Sequence, residues 1–227
     1  MKIDKILSIP KSFWVSLHFF TLRDALKLPI LVRYNTKIQS LRGEIKVLGG
    51  VNQGMLSIGF GSVGLYDKRY QRSVLQLDGN IKLYGDSKVS LGHGSRISVG
   101  KNGCVTFGKN FINTAHMNIC CVDSIVFGDD VVTSWETLVM DTDWHSVRNT
   151  KNNEVGCCTK PIVIGSGVWL CTKSMVLKGS NIPNGCIVGA NSLVVGCFGE
   201  ENCLIAGNPG QVRKRHVTMN RDYENHL

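Results

Sequence analysis

The sequence predicts an all-β chain wound as a triangular parallel coil. Three observations carry this: a six-residue period near the C-terminus, an eight-residue form of the same unit upstream, and glycine scattered without a Gly-X-Y period. From Ile164 the chain reads, in sixes, IGSGVW, LCTKSM, VLKGSN, IPNGCI, VGANSL and VVGCFG, which aligns Ile164, Leu170, Val176, Ile182, Val188 and Val194 in one column. Four positions on come Val168, Ser174, Ser180, Cys186 and Ser192, nearly all small. Neither the 3.6-residue helix nor plain two-residue strand alternation gives such a period. A prism does: each six supplies a short strand whose aliphatic residue points inward and a corner where a small residue lets the chain turn. Upstream, LYGDSKVS, LGHGSRIS, VGKNGCVT and FGKNFINT begin at Leu83, Leu91, Val99 and Phe107, a wider side built on the same plan. The 25 glycines suit a chain with many tight corners.

Composition bounds the rest. At 227 residues, with 19% charged and 43% hydrophobic residues, one main globular domain is expected. A formal charge of +9 suits a polyanionic partner or the phosphates of a cofactor, but no nucleic-acid-binding module appears, so no nucleic-acid partner is expected. Nine cysteines, with adjacent pairs at Cys120-Cys121 and Cys157-Cys158, form no C-x-x-C or zinc spacing and read as reduced thiols of a cytoplasmic protein. The apolar run from Phe13 to Phe20 is too short to span a bilayer. It reads as part of an amphipathic segment packing on the coil, with room for weak association with a membrane surface.

The repeat runs from about Gly50 to Val195 and breaks between Asp141 and Pro161, where polar residues crowd together. This divides the chain into an N-terminal segment (1–49), a coil (50–206) that ejects a loop (141–161), and a tail (207–227) that caps the last rung. Loops ejected from rigid scaffolds are where function concentrates. The break opens in the stretch SWETLVMDTDWHSV, Ser134 to Val147, with an acidic pair ahead of a histidine.

That stretch, together with Pro161, the GSGVW run ending at Trp169 and the AGNPG run at Ala206 to Gly210, resembles the hexapeptide-repeat acyltransferases. Within them the likeness is to sugar and polysaccharide O-acetyltransferases of the maltose and galactoside type. The resemblance implies a left-handed parallel β-helix, a homotrimer, acetyl-CoA as acyl donor, a carbohydrate acceptor and no metal. It implies that His145 is the general base, with an acid holding its second ring nitrogen; Asp143 and Asp141 are the local candidates, since residues two apart on an extended segment share a face, and Glu136 is a third that stacked rungs could bring near. It implies that Trp169, Thr172 and Ala190 line the donor's pantetheine arm, and that Arg213, Lys214 and Arg215 are available for its phosphates. Asn118, with Asn113 as fallback, is the implied acceptor ligand, helped by His116, Trp135 and Glu136. The chain departs from the family pattern at Val195-Gly196, where Thr-Lys is usual, and at Gln211, where a basic residue is usual. A zinc site built from His93, His116 and His145 lacks the close histidine pair such sites use. The enzymatic alternative is an N-acyltransferase acting on an amino sugar; the non-enzymatic one is a basic solenoid binding an anionic polymer.

Overall fold

The computed structural model describes residues 2–61, 63–67 and 69–220. Helices α1 (Lys2–Phe19) and α2 (Leu22–Ala25) precede a succession of short strands that visit three sheets in turn. The first face has nine strands, from Ile30–Val32 to Cys203–Ala206 and Gln211–Arg215. The second has seven, from Lys37–Leu41 to Leu193–Val194, and the third six, from Glu44–Leu48 to Asn181–Ile182. Every pairing between successive rungs is parallel, as in Ile119 beside both Ile97 and Val139. The chain is thus a three-faced parallel β-helix.

The aliphatic column identified in the sequence is the core: Ile164, Leu170, Val176, Ile182, Val188 and Val194 are all buried. Each such side chain contributes roughly 1.5–3 kcal/mol relative to exposure. The small column is buried beside it, and its hydroxyls satisfy corner carbonyls: Ser174 Oγ donates to Cys171 O at 2.8 Å and Ser180 Oγ to Leu177 O at 2.6 Å. In the wider rungs the extra volume is filled by Phe107, Phe111 and Phe127, whose ring centroids lie 4.9–5.2 Å apart.

The ends differ from the sequence expectation. The coil starts at Ile30, within the segment assigned as N-terminal, because the strands Ile30–Val32, Lys37–Leu41 and Glu44–Leu48 already form a first rung without showing the repeat's spacing. Helix α1 then serves as a substitute rung. Three serines one turn apart bond the open edge of Ile30–Val32: Tyr34 N donates to Ser8 Oγ at 2.9 Å, Val32 N to Ser12 Oγ at 2.9 Å and Ile30 N to Ser16 Oγ at 3.3 Å. Four helical residues rise about 6 Å, close to the span of two strand residues, so the two spacings match. Ser12→Val should therefore leave a buried edge amide unpaired and cost roughly 1–3 kcal/mol, read as a lower denaturant midpoint. At the other end Gln211–Arg215 turns back antiparallel on Cys203–Ala206 and ends the parallel ladder. Residues 221–227 of the tail lie outside the described residues.

Candidate active site

One corner of the prism collects most of the residues singled out in the sequence. Between the first and second faces, successive rungs turn at Gly94, His116, Glu136, Lys173 and Asn191, all with φ between +52° and +73°. The strand register stacks them: Leu91, Asn113, Thr133, Leu170 and Val188 are neighbours across the first face, and each corner follows three residues later. The column therefore carries Trp135 and Glu136 on one rung, Thr172 and Lys173 on the next and Ala190 on the one after. Backbone bonds fasten these rungs: Lys173 N donates to Trp135 O at 3.1 Å and Asn191 N to Thr172 O at 3.0 Å. Thr172 Oγ1 also donates to Trp135 O at 3.0 Å, and Trp169 Nε1 donates to Ser134 Oγ at 3.2 Å.

Toward the N-terminal end of the coil the same corner is polar. Tyr66 Oη donates to Glu136 Oε1 at 2.7 Å, Lys173 Nζ lies 3.6 Å from Glu136 Oε2, and the Tyr66 ring lies over that of His116 at 4.1 Å. His116 Nε2 bonds Gln71 Oε1 at 2.6 Å. Burial, with the Glu136 carboxylate as second cause, pushes the Tyr66 phenol up to about 12, while the Tyr66 hydrogen bond holds Glu136 below its ordinary value. Burial, with the Arg96 charge behind it, lowers the His116 pKa, and Glu136 opposes this. His116 is thus favoured neutral in the fold. Its contribution to stability is full above its ordinary value of 6.5 and is lost as pH falls through the lowered one. The melting temperature should fall on acidification below about pH 6.5, and His116→Gln should flatten that fall.

Tyr66 and Gln71 were not foreseen. They lie between the strands Leu56–Phe60 and Val74–Leu77, where the chain leaves the coil for longer than a corner needs; that lapse in rhythm is the signal that could have marked them.

The two asparagines expected to meet an acceptor divide. Asn113 is buried and saturated, with Oδ1 accepting from Gly92 N and Ser95 Oγ and Nδ2 donating to Thr133 Oγ1 and Ser134 O. It pins the inside of the corner and leaves nothing for a ligand. Asn118 is half-buried on the outer side of the second face, 3.5 Å from Arg96 Nη1.

The ejected segment is a hairpin, bridged antiparallel at Thr142 with Thr159 and at Arg148 with Val155. His145 sits exposed on its outgoing arm, and its ring makes no hydrogen bond to a described residue. The expected pairing with an aspartate is absent within one chain. Asp141 is buried and its carboxylate accepts from Val122 N and Asp123 N, both at 2.9 Å, so it fastens a corner of the coil. Asp143 pairs with Lys178 Nζ at 2.7 Å. Trp144 between Asp143 and His145 has φ +61°, so the extended alternation that would align the two does not hold.

Of the basic tail, Arg215 is held by two bonds to Glu200, Arg213 Nε donates to Ala206 O at 3.2 Å, and Lys214 is exposed. The three do not form one free cluster. Among the described residues no group of three His, Cys, Asp or Glu side chains is placed to hold a metal ion, and the nine cysteines are free thiols.

No family model matches the chain. A protein of Escherichia coli (strain K12), provisionally named lipopolysaccharide biosynthesis O-acetyl transferase WbbJ, is 31% identical over 109 residues, covering 44% of this chain and 55% of that relative. The chain thus matches about half the length of its curated relative. Among solved structures, the polysialic-acid-specific acetyltransferase NeuO superposes with a TM-score of 0.57 at 16% identity, covering 88% of this chain and 82% of that one. The chain shares the left-handed β-helix fold of this acetyltransferase. The polysialic acid O-acetyltransferase OatWY agrees, with a TM-score of 0.55, 21% identity and coverage of 82% and 91%. The left-handed coil of this hexapeptide-repeat chain is the one expected from the sequence. No helix among its described residues is long and apolar enough to cross a membrane.

Proposed function

We propose that the chain is an O-acetyltransferase that moves an acetyl group from acetyl-CoA to a hydroxyl of a carbohydrate, on the way to a bacterial surface polysaccharide, and that it works as a homotrimer. One observation carries this reading. The corner column with Trp135, Thr172 and Ala190 precedes the strands of the second face, whereas the hairpin with His145 follows Leu138–Met140, at the far end of that face. Base and donor column are separated by the width of a sheet, so a complete site needs His145 from a neighbouring copy. Closed rings of identical subunits supply that juxtaposition at every interface. The name of the E. coli relative supports the carbohydrate acceptor.

Acetyl-CoA supplies the activated acyl group. Thr172 and Ala190 would line its pantetheine arm beside Trp169, with Arg213 and Lys214 nearest the phosphate end. His145 takes the proton of the sugar hydroxyl as its oxygen bonds to the thioester carbonyl carbon, and returns that proton to the departing sulfur. The products are an acetyl ester and free thiol. Asp143 would orient the imidazole by exchanging its contact with Lys178 for one with His145, because Asp141 already serves two backbone amides. Asn118, His116 and Glu136, together with Tyr66, would receive the acceptor. The test is incubation with acetyl-CoA and a panel of nucleotide sugars and short oligosaccharides. The reading expects thiol release matched by one added acetyl group that hydroxylamine removes. An acetyl group resistant to hydroxylamine would mean N-transfer, and no thiol release with any acceptor would sink the proposal.

A further inference from the structure

Helix α1 is mounted the reverse way for a helix facing water. A surface helix ordinarily buries its apolar stripe and shows its polar one. Here the buried stripe is largely polar, with Ser8, Ser12 and Ser16 bonded to the edge strand, Val15 buried beside them and Phe19 partly buried against the core at the helix end. The outward side is apolar. Ile3 is 71% exposed and Trp14 53%, with Ile6, Leu7 and Leu17 exposed between and beside them. At about 100° per residue, Ile3, Ile6 and Leu17 lie nearly opposite the serine stripe. Helix α2 and its cap extend the surface with exposed Leu22 and with Leu26 at 66%. An apolar patch of this extent at one end of the coil marks an interaction surface.

The charges around it select the occupant. Both acids of this region are engaged, Asp4 with Arg33 at 3.3 Å and Asp24 with Lys27 at 2.7 Å. Lys5 and Arg23 are exposed cations with no ion pair among the described residues. A second copy laid face to face would bring like charges together, whereas anionic headgroups would pair with them. An aliphatic helix face with a Trp and flanking cations is the chemistry of an interfacial anchor. Beside it, between α1 and the first face, opens a cleft of about 520 Å³ lined by Ile6, Ile9, Leu28, Leu31 and Phe60, apolar enough to take an acyl chain.

We propose that α1 and α2 form a platform that docks the N-terminal end of the coil on an anionic lipid bilayer, with Trp14 and its aliphatic neighbours at the headgroup boundary and Lys5 and Arg23 on phosphates. The proposal stands independently of the acetyl-transfer reading. In a parallel trimer three such platforms would share one plane, and their combined affinity would exceed that of one.

The test is co-sedimentation of the full chain with vesicles of phosphatidylglycerol and phosphatidylcholine, against vesicles of phosphatidylcholine alone. Binding is expected to the anionic vesicles and to weaken in high salt. Ile3→Asp, Trp14→Asp and Leu17→Asp together should abolish it while leaving the circular dichroism and melting temperature intact, since all three side chains are exposed. Lys5→Glu with Arg23→Glu should lower partitioning on the order of tenfold. The proposal is overturned if the wild type stays in the supernatant. Undiminished binding by the triple variant would overturn it too, as would light scattering in which that variant falls to a smaller oligomer than the wild type, placing the face between copies.

Discussion

His145→Ala is expected to lower turnover by about 10²–10⁴-fold on a proven acceptor, the range for a base that moves a proton in the transition state. The Michaelis constant for acetyl-CoA, the oligomer and the melting temperature should stay near wild type. The side chain is exposed on a hairpin and bonded to no described residue, so nothing in the fold depends on it. Single-turnover rates separate a lost chemical step from lost binding. Asp143→Asn should cost less, since it leaves the base in place, and it removes the charge that holds Lys178. Near-wild-type turnover in His145→Ala would remove the proposed mechanism while leaving the fold untouched.

Val176→Asp is expected to be the most destabilising single change, at about 4 kcal/mol or more, because a carboxylate would enter a dry prism between Val139 and Val194. Those neighbours are apolar and fully buried, and the hydroxyls of Ser174 and Ser180 in the adjacent small column are already given to corner carbonyls. Val195→Asp is the control. Its side chain is 54% exposed although it follows the buried Val194, and the substitution should change stability by less than about 0.5 kcal/mol. A comparable loss in both variants, measured by denaturant titration, would mean that the inward register is misassigned.

The interior of the coil was legible because its period is a steric necessity. A column that must be aliphatic and a column that must be small are visible without knowing what stacks on what, and Ile164 through Val194 fell inside as expected. The corner column was half legible. His116, Glu136, Thr172 and Ala190 were singled out one by one, but that they lie above one another follows only from the register. Asn113 and Asp141 illustrate the reverse. Each has the right chemistry at the right distance along the chain, yet each is consumed by backbone amides and corner hydroxyls that only the folded rungs bring near. Helix α1 packs on the coil as expected, but the first rung and the way the helix meets it were not legible, because the usual rule, apolar inward, is inverted where three serines stand in for a missing strand. No sequence period announces that substitution, since the serines sit one helical turn apart while the groups they satisfy sit two strand residues apart.

A working site that straddles two subunits should be rebuilt by mixing two inactive variants. His145→Ala removes the base. Ala190→Trp, at an exposed corner, fills the proposed donor column, so each protein alone should be nearly inactive. Co-expressed with different tags and purified as mixed trimers, they should regain roughly one third of wild-type turnover, because one interface in three then joins two intact halves. If base and donor column act within a single chain, no mixed species holds an intact site, and activity stays at the level of the separate variants; that result would contradict the account.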